Sequence, residues 1–155
     1  MKINDLKLLI YCLIVCLGAG MISGLITSGS ASIYSDLILP EVHPPGYLFP
    51  LVWTILYILM AISLYMVVRT SDHNNREQMI IFFIQLLLNF VWAPVFFVIG
   101  NYLAAFIILV ALWVSVLMMI ISFNKKNRNA ALLQIPYIIW ITFAGYLSYS
   151  VYVLN

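Results

Sequence analysis

Long apolar runs alternate with short polar connectors along this chain, and the run lengths predict its architecture. Apolar segments cover about residues 6–27, 50–68, 79–99, 102–123 and 130–153. Each is close to the roughly 20 residues a helix needs to cross the hydrocarbon core of a bilayer. The pattern predicts an all-α, polytopic membrane protein, a bundle of five transmembrane helices forming a single domain over residues 1–155. One substantial stretch lies outside the spans, residues 29–49, and it carries Asp36, Pro40, Glu41, His43, Pro44, Pro45 and Gly46. The paired prolines exclude regular helix there and favour extended or turn backbone. Pro50 suits the first turn of the second span, where a missing N–H costs nothing. Pro94 and Pro136 fall inside spans and predict local kinks, because each deletes one intrahelical hydrogen bond. Gly100-Asn101 predicts a tight turn between the third and fourth spans.

Composition sharpens this picture. Of the 155 residues, 65% are hydrophobic and 8% charged, against about a quarter charged in soluble domains. Lipid must therefore cover much of the surface. The formal charge of +2 is spread over short connectors, which excludes a nucleic-acid face. Lys2 and Lys7 ahead of an apolar run resemble a secretory signal. The run is longer than the apolar region of such a signal, about 7–15 residues, and Gly18, Gly20 and Gly24 suit a packed helix, so it reads as a retained first span. With five spans, Lys2, Lys7, Arg69, Arg76, Lys125, Lys126 and Arg128 all fall on one side of the membrane. The 29–49 loop, the 100–101 turn and the C-terminus share the other side and hold no Lys or Arg. The positive-inside rule then predicts a multi-pass cell-membrane protein with a cytoplasmic N-terminus and an external C-terminus.

The interior restricts the chemistry. No Asp, Glu, Lys, Arg or His lies mid-span, which weighs against ion-driven transport. No HExxH, GxSxG or buried carboxylate pair marks a hydrolase. Cys12 and Cys16 read as small packing groups, since no further ligands accompany them. His43 is alone in its loop and reads as a surface group, so no metal site is expected. The loose cholesterol pattern of Leu59, Tyr65 and Arg69 carries almost no weight. Gln85, Asn89, Trp92 and Phe96, at i, i+4, i+7 and i+11, share one face of the third span. Amides in hydrocarbon need partners, so this face should look into the bundle, either as interhelical glue or as a polar contact for a ligand. Gly20 and Gly24 in GxxxG spacing, with Ala19, Ser23 and Thr27 alongside, allow close helix approach. That face serves either packing within the bundle or a homodimer. Trp53 suits a membrane interface, and Tyr146, Tyr149 and Tyr152 suit an aromatic belt. Trp92, Trp113 and Trp140 lie deeper, Trp140 about 15 Å along its span at 1.5 Å per residue. Deep indoles imply tight packing or the wall of an aromatic pocket.

Three runs carry a resemblance. The first is Pro44-Pro45-Gly46-Tyr47-Leu48-Phe49-Pro50-Leu51-Val52-Trp53-Thr54-Ile55-Leu56-Tyr57, continuing to Met60. The second is Gln85-Leu86-Leu87-Leu88-Asn89-Phe90-Val91-Trp92, with Pro94, Phe96 and Phe97. The third is Pro136-Tyr137-Ile138-Ile139-Trp140 with Phe143-Ala144 and the terminal Leu154-Asn155. Together they resemble the TspO/MBR family, the tryptophan-rich sensory proteins related to the translocator (peripheral benzodiazepine receptor) protein. The resemblance implies a five-helix bundle with a ligand pocket toward the 29–49 loop. It implies binding of porphyrins such as protoporphyrin IX, and of benzodiazepine-type drugs. By motif position the ligand-binding residues would be Pro44, Trp53, Tyr57, Asn89, Trp92, Trp140 and Ala144, with Tyr34 and Ser148 as weaker members. Some relatives are thought to degrade porphyrin in light, and the matching catalytic positions would be Trp53 and Trp140. Excited porphyrin can oxidise an adjacent indole. It would also photobleach beside any tryptophan, so evolved activity and simple bleaching both stay open.

The chain departs from the family pattern at Leu39, where the family often has Lys, and at Leu147-Ser148, where it often has Leu-Asn. It lacks a basic residue after the last Tyr, so sterol binding does not carry over. Three functions follow: a receptor-like binder that senses or buffers tetrapyrroles, a passive facilitator of porphyrins or other lipophiles, and a structural or regulatory partner acting as a dimer. None requires a cofactor; porphyrin enters as ligand, beside membrane lipid and drug-like small molecules.

Overall fold

A computed structural model describes residues 3–30, 33, 36–70 and 74–155. The described residues form helices and no strand: α1 (Ile3–Thr27), α2 (Leu48–Val68), α3 (Arg76–Pro94), α4 (Tyr102–Asn124), α5 (Arg128–Leu132) and α6 (Ile135–Leu154). Five spans long and apolar enough to cross a membrane result, because α3 runs on to Ile99 and α5 with α6 makes one span, Arg128–Leu154. The observed spans agree with the apolar runs to within a few residues at each end, as expected where helix ends fray.

The helices close a ring. α1 packs on α2 and α3, α3 on α4, α4 on α6, and the short α5 bridges α4 and α2. The outward faces are strongly apolar: Tyr11 is 65% exposed, Met21 66% and Leu87 62%. That is a surface only lipid can cover. Asp5 pairs with Arg69 at 3.2 Å and Lys125 with Glu77 at 3.8 Å. These bridges gather the start of α1, the end of α2 and both basic connectors at one end of the bundle. At the opposite end, Asn155 Nδ2 donates to the carbonyl of Ile38 at 3.1 Å, and Ile38 N–H donates back to Asn155 Oδ1 at 3.0 Å. This reciprocal pair ties the long loop to the last helix.

Both in-span prolines break regular helix, and in each case a serine from a neighbouring helix repairs the break. Pro94 has no N–H for the Phe90 carbonyl, which instead accepts from Ser23 Oγ of α1 at 3.4 Å. Beyond Pro94 the helix widens into a π-turn, Val95–Ile99. It stops at Gly100 in the left-handed conformation (φ 69°), with Asn101 N–H closing back on Val95 O at 3.3 Å. Asn101 then caps α4 by accepting from Ala104 N–H at 3.0 Å. In the fifth span the break lies just ahead of Pro136. Gln134 N–H bonds to Ala131 O and leaves Ala130 O without its usual partner. The hydroxyl of Ser63 on α2, itself fully buried, donates to that carbonyl at 2.8 Å. Such repair is what lets a proline persist in lipid.

Candidate functional site: an aromatic chamber between α1, α2 and α3

The polar face of α3 looks inward: Gln85, Asn89, Trp92 and Phe96 are all buried. Their amides enter one directional hydrogen-bond chain. Tyr57 OH donates to Asn89 Oδ1 at 3.2 Å, Asn89 Nδ2 donates to Tyr137 OH at 2.8 Å, and Tyr137 OH donates to Gln85 Oε1 at 3.0 Å. Gln85 Nε2 ends on the Met60 sulfur at 3.7 Å. The chain ties α2, α3 and α6 together, so the glue reading of these amides holds. Asn89 serves twice, since it also reaches the wall of a cavity.

That cavity, about 1080 Å³, lies between α1, α2 and α3. Phe49, Trp53, Trp92 and Phe97 supply aromatic walls, and Tyr57 and Asn89 supply the polar groups. Trp53 lies 6.1 Å from Trp92 and 6.0 Å from Tyr57, ring centre to ring centre, and it meets Tyr137 edge-on at 6.2 Å. No charged side chain lines the cavity among the described residues. The Trp92 indole N–H is buried and has no partner among them. A buried donor left unpaired costs free energy.

The glycines of α1 divide their roles. A Cβ on Gly20 would collide with the Tyr57 ring, so Gly20 lets α1 lie directly on α2. Gly18 and Gly24 line the cavity and would meet nothing within 4 Å. The GxxxG pair therefore joins one packing contact to one open wall.

The residues singled out from sequence fall into two groups. Trp53, Tyr57, Asn89 and Trp92 come together on the cavity. Trp140, Ala144 and Ser148 form a separate line on α6, at i, i+4 and i+8. Ala144 and Ser148 are buried, and the Ser148 hydroxyl and Trp140 N–H have no partner among the described residues. Phe49 stands between the groups: it lines the cavity and meets Trp140 edge-on at 5.8 Å. Pro44 is half-buried in the loop and is not one of the residues lining the cavity. Tyr34 lies outside the described residues. Trp113 is neither core nor pocket. It is 36% exposed on the outer face and donates its N–H to Thr142 Oγ1 at 2.9 Å. His43 is exposed and its Nδ1 lies 2.8 Å from Pro40 O, a local turn contact. No cluster of three or more His, Cys, Asp or Glu side chains is present among the described residues.

Sequence reasoning gave Tyr137 no role, yet its hydroxyl is the centre of the buried chain. It also assigned nothing to Phe49, Ser63 or the Ser23 hydroxyl. One signal was available: an in-span proline implies an orphan carbonyl and therefore a donor on a neighbouring helix.

A five-span helical bundle with an interhelical aromatic chamber defines an α-helical integral membrane protein. The chain belongs to the TspO/MBR family, whose model matches residues 12–154. It is 36% identical to the tryptophan-rich protein TspO of Chlorobaculum tepidum over 95% of each chain. It is also 36% identical to that of Archaeoglobus fulgidus, over 98% of this chain and 99% of the relative. The translocator protein of Bos taurus is 28% identical over 77% of this chain and 72% of its own length.

Proposed function

We propose that this protein is a membrane binder of porphyrins, protoporphyrin IX-like tetrapyrroles, and of benzodiazepine-type ligands. The observation that carries the reading is the chamber wall of Trp53, Trp92, Phe49 and Phe97 around a cavity of about 1080 Å³. Small-molecule sites of this kind are mostly apolar with a few placed polar groups, about 300–1,000 Å³ in volume. A flat macrocycle stacks on indole faces. Family membership supports the same ligand class. The N-terminus and basic connectors face the cytoplasm of the cell, by the positive-inside rule.

Light-dependent degradation forms part of this proposal. The excited porphyrin takes an electron from a neighbouring indole or passes its energy to dioxygen, which then oxidises the macrocycle, and the apolar walls hold the reacting groups together. Trp53, on the cavity, is the first donor, and Trp140 is separated from the cavity by Phe49, which it meets edge-on. The test is a titration of purified protein with protoporphyrin IX in the dark, following tryptophan fluorescence, then illumination of the same sample. Saturable quenching that weakens in Trp53→Phe is the expected result. Non-saturable quenching, unchanged in that variant, would show partitioning into detergent and remove the assignment. Equal bleaching with free tryptophan in detergent would remove the enzymatic part alone.

Passive movement of porphyrins is the second reading. It is favoured by the length of the cavity, which follows α1 from Ile10 to Ser28, and by the lack of mid-span ionisable groups. Protein-dependent flux of protoporphyrin IX across vesicles, with no gradient requirement, would support it over sensing.

A further inference from the structure

The cavity is open on one side, and that side faces lipid. Its exposed lining residues include Ile10, Ile14, Met21 and Gly24 on α1 and Pro50 and Thr54 on α2. The lining residues from α3 are buried or half-buried. The opening therefore lies along α1 beside the loop-end half of α2, on the loop side of the Gly20–Tyr57 contact, and is continuous with the apolar outer surface of the bundle. Its lining follows α1 from Ile10 to Ser28, about 27 Å at 1.5 Å per residue, and α2 walls the loop-end part of it from Phe49 to Tyr57. Its polar lining on this side, Thr27, Ser28 and Thr54, gathers at the end that carries the long loop, and the Ile10–Leu17 end is wholly apolar.

We propose that this cavity takes a phospholipid acyl chain, which enters sideways between α1 and α2 from the leaflet on the loop side. Atoms lining an unfilled void lose their dispersion partners, and lipid tails at the mouth are as apolar as leucine. A chain lying in the slot restores those contacts, and the polar groups on the wall, Tyr57 and Asn89, are already hydrogen-bonded to each other. The hydroxyls at the loop end sit where the ester region of the same lipid would lie. Gly18 and Gly24 make the slot passable, because a Cβ at either would meet open space. Any ligand of the chamber then arrives by exchange with this chain. The inference stands without the tetrapyrrole reading, which the dark titration tests separately.

Brominated acyl chains quench tryptophan on contact, and they provide the test. Trp92 is 5% exposed and lines the slot, and Trp113 is 36% exposed on the outer face. Proteins keeping only Trp92 or only Trp113, the other tryptophans changed to Phe, are placed in vesicles of phosphatidylcholine brominated mid-chain. Quenching of Trp92 comparable to that of Trp113 is expected, and Gly18→Leu with Gly24→Leu should at least halve it without touching Trp113. Trp92 fluorescence unaffected by bromine beside a quenched Trp113 overturns the proposal. Should the tryptophan variants not fold, native mass spectrometry of the otherwise unaltered chain gives the second reading. The parent should retain a phospholipid that the double glycine variant loses, and equal retention would refute the slot.

Discussion

Tyr137 shows how much one hydroxyl can carry in a membrane interior. It accepts from Asn89 and donates to Gln85, so Tyr137→Phe leaves an amide N–H and an amide carbonyl unpaired together. A single interhelical hydrogen bond in lipid is worth only about 0.6 kcal/mol on average. Stranding a buried polar group costs about 1–3 kcal/mol, and the second effect decides. Tyr137→Phe should therefore destabilise the folded protein by about 1–3 kcal/mol in detergent unfolding, and pairing it with Gln85→Leu should recover part of the loss. No recovery would mean that the hydroxyl matters for packing alone. Gly20 is the second residue of this kind. Gly20→Ala places a methyl against the Tyr57 ring and strains the Tyr57–Asn89 bond. It should cost about 1–3 kcal/mol as overpacking and weaken protoporphyrin quenching. Gly18→Ala and Gly24→Ala should be close to neutral in stability. Equal effects at all three positions would contradict the division of roles among the glycines.

The informative features at the scale of the element are the broken spans. α3 and the fifth span each contain a proline that a helix in lipid could not tolerate alone, and each is mended from outside by Ser23 or Ser63. Ser63→Ala should therefore lower stability by about 1–3 kcal/mol, the cost of an orphaned buried carbonyl. Ser115→Ala is the control, since Ser115 bonds only to Ala111 within its own exposed turn and its loss should be nearly silent. Two equal effects would show that the position of the serine relative to the break is irrelevant. The break at Pro94 also shapes the chamber, because the π-turn that follows carries Phe97, which joins Trp92 on the cavity wall.

For the whole molecule, two sets of contacts divide the bundle into a charged end and a loop end. The Asp5–Arg69 and Lys125–Glu77 bridges gather one, and the Asn155–Ile38 pair marks the other. With the positive-inside rule, an epitope placed after Asn155 should be cut by protease added to intact cells, and one placed before Met1 should be protected. Protection of the C-terminal epitope would contradict the proposed orientation.

The sequence by itself determined the number of spans, their limits to within a few residues, the gathering of basic residues on one side, and the family. Each follows from a property that acts along the chain: apolar run length against bilayer thickness, charge placement, and motif spacing. It also put Gln85, Asn89, Trp92 and Phe96 on one inward face, because helical period fixes what shares a face. Tertiary structure alone decided what each face meets. It set Tyr137 between Asn89 and Gln85, spent Gly20 on Tyr57 and left Gly18 and Gly24 on an open wall. It also divided the motif residues into a Trp53–Tyr57–Asn89–Trp92 chamber and a Trp140–Ala144–Ser148 line on either side of Phe49. Those outcomes depend on how α1, α2, α3 and α6 approach one another, and no period within a single helix encodes the position of its neighbour.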